Sequence, residues 1–297
     1  MKRFFVLCLL TFSLILAIAS CNPNISSGGG DIVVASKDFT EQDILGELLA
    51  QQIESTTGLK VDRRLHLGGT FVCHQAITAG KIDAYIEYTG TAFTAILKQK
   101  PVGNPKTVYQ QVKAGYAKQF GLEVTQPLGF ENTFAMIVRG ADARARNLQT
   151  LSQVAQYTPQ WQAGFGYEFL QREDGFPGLA KTYGLEFARP PRVMDLGLMY
   201  RALVEKQVDI VAGNSTDGQI ARLDLAILKD DRQYFPPYEA APIVRQATLK
   251  KHPKLRQAIA QLGGLINEEE MRRLNYQVEG ELRDIKEVVR EFLQSKK

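Results

Sequence analysis

Cysteine is scarce in this chain: three among 297 residues, at Cys8, Cys21 and Cys73. The first two fall in the N-terminal segment considered below, which leaves one thiol for the folded body. No internal disulfide can form there, so the body relies on its core. Histidine is as sparse, at His66, His74 and His252. There is no Gly-x-Ser-x-Gly elbow, no His-Glu-x-x-His helix and no phosphate-cradling Gly-rich loop. His66, Cys73 and His74 make a poor tetrahedral set, because an adjacent Cys-His pair with one distant His lacks metal-ligand spacing. They read as a packed thiol and two surface histidines. Acidic runs such as Glu173-Asp174 and Glu268-Glu269-Glu270 read as solvated helix or turn faces. These absences leave no catalytic set, so no enzyme is expected, and they call for no cofactor and no metal.

Charge of one sign is also missing. The formal balance is +4, and loss of Lys2 and Arg3 would bring it to +2. That gives no footprint for nucleic acid. Long apolar runs are confined to the start, where Lys2 and Arg3 precede Phe4 to Ala19 and Ile18-Ala19-Ser20-Cys21 closes the run. A basic start, a short apolar core and a small-residue junction describe an export signal over residues 1–20. The junction resembles the lipobox of bacterial lipoproteins, which implies cleavage before Cys21 and lipid on its sulfur. Residues 21–30 (Cys-Asn-Pro-Asn-Ile-Ser-Ser-Gly-Gly-Gly) read as a flexible tether. The remaining body, about 265 residues, is long enough for two modest lobes.

Within that body one stretch organises the rest, Gly80-Lys81-Ile82-Asp83-Ala84-Tyr85-Ile86-Glu87-Tyr88-Thr89-Gly90-Thr91. Ile82, Ala84 and Ile86 alternate with more polar neighbours, the period of a short strand. Helical spacing resumes at Phe93, Ile96 and Leu97, with Thr91 at the expected N-cap. The loop therefore lies between a strand's C-terminal end and a helix N-terminus, where open α/β sheets bind ligands and helix ends favour anions. The pattern returns at Lys206-Gln207-Val208-Asp209-Ile210-Val211-Ala212-Gly213-Asn214-Ser215-Thr216-Asp217. Counted from Asp83 and Asp209, Tyr88 aligns with Asn214 and Thr91 with Asp217. Two such units suggest two α/β lobes that share a cleft; two βα units of one ordinary domain would look alike too.

Ile32 to Ala35 is a compact strand, and Ile44, Leu45, Leu48, Leu49 and Ile53 mark one face of a helix. Thr40 with Asp43 reads as a variant capping box, with Lys37 just ahead of it. Thr133 to Val138 is strongly β and is taken as the crossing into a second lobe; Phe235 to Val244 is the return. Three helices are expected at the end, the last from Glu281 to Leu293 with Leu282, Ile285, Val289 and Phe292 on one stripe. Tyr88, Phe134 and Tyr238 sit at loop or crossing positions, and aromatic faces attract quaternary ammonium. Lys37, Thr91 and Arg172 are candidates to hold a carboxylate, Arg172 through its bidentate fork.

Lys37-Asp38-Phe39-Thr40-Glu41-Gln42-Asp43-Ile44-Leu45-Gly46, Leu67-Gly68-Gly69-Thr70, Glu87-Tyr88-Thr89-Gly90-Thr91, Glu168-Phe169 with Arg172-Glu173-Asp174-Gly175, and Ser215-Thr216-Asp217-Gly218 resemble the osmoprotectant (glycine betaine/choline) substrate-binding proteins of ABC transporters. The resemblance runs from Ile32 to the C-terminus. It implies an α/β, two-lobed periplasmic-binding-protein fold of type II with two crossing strands as hinge. Residues 31–133 and 239–297 would form the first lobe and 134–238 the second. It further implies a lipid-anchored, extracytoplasmic monomer that captures quaternary ammonium compounds and delivers them to a membrane permease and its ATPase. By resemblance the aromatic cage falls on Tyr88, Phe134 and Tyr238, the carboxylate contacts on Lys37, Thr91 and Arg172, and Asn132 lies near the ammonium. Asn214 departs from the pattern, since many betaine-binding relatives carry an aromatic residue there, and Phe134 stands where Tyr is frequent. A three-walled cage leaves room for another cargo, such as an amino acid or a histidine-derived betaine like ergothioneine, that hydrogen-bonds Asn214. A receptor that signals rather than transports is the rival of a different class.

Overall fold

The computed structural model describes residues 30–296. The expected signal segment 1–20, Cys21 and the tether up to residue 29 lie outside the described residues. The strands form two five-stranded sheets. The first joins β1 (Ile32–Ala35), β2 (Val61–Arg64), β3 (Ala84–Tyr88), β4 (Leu122–Val124) and β10 (Ala240–Arg245), in the order β2-β1-β3-β10-β4. The second joins β5 (Phe134–Arg139), β6 (Ala163–Phe165), β7 (Arg192–Val193), β8 (Ile210–Asn214) and β9 (Leu225–Leu228), in the order β7-β6-β8-β5-β9.

The two sheets are built alike. β3 and β8 each have a parallel neighbour on one side and an antiparallel crossing strand on the other, β10 for β3 and β5 for β8. Their last residues face the crossing strands, with Tyr88 opposite Ala240 and Asn214 opposite Phe134. This is the two-lobed α/β architecture that the recurring stretch implied. It brings the carboxyl ends of the central strands to one cleft, the usual ligand position in such sheets.

Each sheet is covered on both faces. Ala84, Ile86 and Tyr88 of β3 pack with Ile44, Leu48 and Ile53 of the helix Thr40–Thr57 and with Val289 and Phe292. Tyr85, on the opposite face, packs with Ile77, Val112 and Tyr116. In the second sheet Ile210 and Ala212 join Met136, Phe165 and Phe169, while Val211 joins Ile137, Met199 and Leu203. Every residue of β3 is thus buried. The polar neighbours that suggested a half-exposed strand, Tyr85 and Glu87, are inside, as parallel strands covered by helices on both faces require.

Local differences from the sequence reading have simple causes. Phe39 precedes the helix Thr40–Thr57 without a side-chain cap. Asp43 instead accepts from Ser36 Oγ at 2.5 Å and from the His66 amide at 3.0 Å, which fixes the turn after β2. Four helices follow β10 rather than three, because His252-Pro253 interrupts the first of them, Gln246–Lys251, before Lys254–Ala260. The last helix is Ile285–Ser295, capped by the Asp284 carboxylate. Leu282 stands outside it at φ 56 and is 85% exposed. His74 is half-buried rather than fully on the surface, packing edge-on against Phe120 at 4.6 Å and Tyr116 at 5.7 Å, and burial pushes its pKa down. Cys73 is buried and donates to the Gly68 carbonyl at 3.3 Å, with its thiol pushed up to about 12 by burial.

Candidate ligand-binding site

A cavity of about 500 Å³ lies between the two sheets, within the roughly 300–1,000 Å³ usual for pockets that enclose a small molecule. All eight residues singled out from the sequence line it: Lys37, Tyr88, Thr91, Asn132, Phe134, Arg172, Asn214 and Tyr238. The strand ends put them there. Tyr88 and Asn214 close β3 and β8, Phe134 opens β5, and Tyr238 precedes β10.

The rings line the cavity in two sets. Phe134 meets Tyr238 edge-on at 5.9 Å and Phe169 at 4.8 Å, and Phe39 stacks on Tyr88 at 6.4 Å. Both tyrosines are anchored by their hydroxyls. Tyr88 donates to Glu41 Oε1 at 2.6 Å and Tyr238 to Asp174 Oδ2 at 2.8 Å. Glycine at position 90 is required because a Cβ there would stand 2.6 Å from the Tyr238 ring and from the Pro237 carbonyl. Directly after Tyr88 the chain makes one helical turn, Thr89–Thr91, that runs into a single π-turn, Ala92–Ile96. Thr91 is therefore inside the turn rather than at its cap, with its hydroxyl free to meet Arg172.

Both cations already have partners. Lys37 Nζ lies 2.6 Å from Glu87 Oε1 and 4.6 Å from the Tyr88 ring centre. Arg172 grips Asp174 with two bonds, Nε to Oδ1 at 2.9 Å and Nη2 to Oδ2 at 2.5 Å. It also donates from Nη2 to Thr91 Oγ1 at 3.1 Å and lies 4.9 Å from the Phe134 ring. Its Nη1 makes no hydrogen bond among the described residues; the nearest carboxylate oxygen is Glu168 Oε2, at 3.9 Å. Asp174 is 1% exposed and is no solvated turn acid, a correction to the sequence reading. Burial raises its carboxyl, but the Arg172 charge and the bonds from Arg172, Thr94 and Tyr238 outweigh burial and hold it below the usual carboxylate range.

The remaining two residues differ. Asn132 is buried and donates to Glu41 Oε1 at 2.8 Å, while its Oδ1 has no partner. Asn214 is half-buried and turns its amide to Asp217 at 3.4 Å. The lobes touch across the cleft. Thr91 and Thr94 bond Arg172 and Asp174, and Thr216 Oγ1 donates to Glu41 Oε2 at 2.5 Å. Gly69 leaves space for the Glu168 carboxylate, whose Oε1 would be 2.2 Å from a Cβ there.

Sequence reasoning missed Phe39, Phe71, Tyr167 and Phe169, which also line the cavity. Phe39 carried a signal, since it immediately precedes a helix start beside Lys37. Glu41 and Asp174, the buried acids behind the wall, carried none, because the tyrosines they hold are 47 and 64 residues away in the chain.

With this geometry in view, the comparisons with known proteins are specific. Residues 30–295 match the model of the substrate binding domain of ABC-type glycine betaine transport systems. The chain belongs to that family. It is 37% identical over 295 residues, 98% of this chain and 94% of the other, to the carnitine transport binding protein OpuCC of Listeria monocytogenes. It is 36% identical over 267 residues to the ergothioneine transport permease/ergothioneine binding protein EgtU of Helicobacter pylori, covering 89% of this chain and 47% of that one. A solved structure titled as a glycine betaine/carnitine/choline ABC transporter superposes with a TM-score of 0.73 at 34% identity, over 89% of this chain and 98% of that one. These relatives are transport substrate-binding proteins. Among the described residues no helix is long and apolar enough to cross a membrane.

Proposed function

We propose that this protein captures a trimethylammonium compound between its lobes and hands it to the permease of an ABC importer. The observation that carries the reading is the convergence of Tyr88, Phe134 and Tyr238 on one cavity that also contains Arg172. Rings attract the cation, each contributing about 0.5–2 kcal/mol when desolvated. The Nη1 of Arg172 and the Thr91 hydroxyl receive a carboxylate, and Asn132 lies beside the ammonium. Because Lys37 and Arg172 are matched by Glu87 and Asp174, the cavity has no surplus positive charge and suits a zwitterion or a cation better than a simple anion. Lobe closure takes place about the crossings near Thr133 and Tyr238, with residues 31–133 and 239–297 moving against 134–238. Lipid on Cys21 holds the receptor, as a monomer, at the extracytoplasmic face of the membrane.

Titration calorimetry with glycine betaine, choline, proline betaine and carnitine tests this. Micromolar or tighter binding of at least one is expected, and no heat from any of them would remove the cargo class. Arg172→Ala should weaken glycine betaine much more than choline, which has no carboxylate; equal losses would contradict the role given to Arg172. One observation favours a larger cargo. Asn214, where the resemblance implies a ring, lines a cavity of about 500 Å³, which leaves room for carnitine or a histidine-derived betaine, and the same titrations extended to those ligands decide it.

A further inference from the structure

We propose that Glu41 is the buried counter-charge of the ligand's ammonium group, acting through Tyr88 and Asn132 as a positioning residue that makes the site select a cation. The inference rests on the reading above that the cargo is a quaternary ammonium compound. Glu41 does not line the cavity; it lies behind the wall, 1% exposed. Its Oε1 accepts from the Tyr88 hydroxyl at 2.6 Å and Asn132 Nδ2 at 2.8 Å. Its Oε2 accepts from the Thr216 hydroxyl at 2.5 Å and Asn275 Nδ2 at 2.9 Å. One amide N–H and one hydroxyl on each oxygen suit a carboxylate.

None of those four donors carries charge. The other two fully buried acids near the cavity have cations against them, Glu87 with Lys37 and Asp174 with Arg172. Glu41 has none among the described residues, and an uncompensated buried charge is costly. Glu41 lies in the first turn of the 18-residue helix Thr40–Thr57, whose N-terminus offers only roughly half an elementary charge. Asp217 and Glu279, two carboxyls that the Glu41 charge helps to push up, offer it no compensation. Two of the four donors, Tyr88 and Asn132, are themselves cavity-lining residues. Asn132 donates from Nδ2 to Glu41, and its Oδ1 is buried without a partner, so its amide dipole is held with the donor end on the carboxylate. A cation in the cavity supplies the charge that Glu41 lacks, across the two lining residues bonded to it, in an interior of low dielectric.

The test compares choline with its neutral isostere, in which a quaternary carbon replaces the nitrogen, on wild-type protein and Glu41→Gln by calorimetry. Wild type should prefer choline by about tenfold or more, and Glu41→Gln should reduce that preference at least severalfold. Loss through disturbed hydrogen bonding falls on both ligands and cancels in the ratio. A ratio unchanged in Glu41→Gln, with both affinities lowered alike, would make Glu41 a scaffold residue and overturn the proposal. Glu41→Asp retains the charge and should keep most of the preference; if the Gln variant does not fold, Glu41→Ala, equally neutral, is read in its place, and an unchanged ratio there overturns the proposal. Wild-type protein that binds no quaternary ammonium ligand would remove the cargo reading, an outcome visible without any variant.

Discussion

β3 and β8 occupy the same place in their sheets, and the aspartate before each does the same work. Asp83 accepts from the Val33 amide at 2.9 Å and lies 3.6 Å from Arg245, the last residue of β10. Asp209 accepts from the Gln162 amide at 2.9 Å and pairs at 2.9 Å with Arg139, the last residue of β5. Each carboxylate thus ties a parallel neighbour and a crossing strand to the central one. Past the strands the likeness ends. Tyr88 is a buried ring hydrogen-bonded to Glu41, followed by a π-turn, a feature found mostly at functional sites. Asn214 is half-buried and bonds Asp217, and a short helix, Gln219–Arg222, follows. The recurring unit is scaffold, and chemistry is written on it one strand end at a time.

That comparison is sharpest at the strand ends themselves. Tyr88→Ala removes a cage wall and one donor to Glu41, and should weaken a trimethylammonium ligand about a hundredfold. Asn214→Ala should change affinity by about twofold. Comparable losses in calorimetry would mean that the two strand ends contribute alike, contrary to the difference described.

The aspartates should behave as a matched pair. Asp83→Ala and Asp209→Ala each remove a carboxylate that satisfies a backbone amide and an arginine, at about 1–3 kcal/mol. Both melting temperatures should fall by similar amounts. A large fall in one variant alone would show that the two units are not the same scaffold.

A smaller effect separates the loops by pH. Burial pushes Asp217 up to about 6, with bonds from Tyr200 and Asn214 opposing and the Glu41 charge adding. Burial pushes Glu279 up to about 7, with the Asp217 charge adding. Thr91, aligned with Asp217, does not titrate. Both folded-state values are above the unfolded ones, so the folded protein keeps these protons longer. Their contribution to stability is full below about pH 4 and is lost as pH rises through about 6 and 7. The melting temperature should therefore drop between about pH 5 and pH 8. Asp217→Asn should flatten the lower part of that drop, an effect on the order of 1–3 kcal/mol; an unchanged profile would place the proton elsewhere.

The smallest expected change is a gain. Asn214→Tyr adds a ring where the second strand end lacks one, and should tighten glycine betaine about threefold to tenfold. No gain would mean that the bond to Asp217 matters more at this position than a fourth wall.

Much of this fold was legible because it follows from local pattern. The strand at Ile32–Ala35, the helical face from Ile44 to Ile53 and the two aspartate-led strands all announce themselves in spacing. The residues lining the cavity were legible because strand ends and crossings are few, and polar or aromatic residues there stand out. What stayed hidden depends on distant partners. Glu41 and Asp174 look like ordinary surface acids until residues far along the chain surround them. Leu282 fits an apolar stripe, yet Asp284 starts the helix beyond it and leaves it in solvent. His74 looks like a surface residue because nothing nearby in sequence says that Tyr116 and Phe120 will enclose it.

A crystal structure of the protein with bound choline or glycine betaine tests the central claim most directly. The account predicts the quaternary nitrogen within about 6 Å of the ring centres of Tyr88, Phe134 and Tyr238, with any carboxylate turned to Arg172 Nη1 and Thr91. Ligand density outside this cleft, or a carboxylate against the rings, would contradict it.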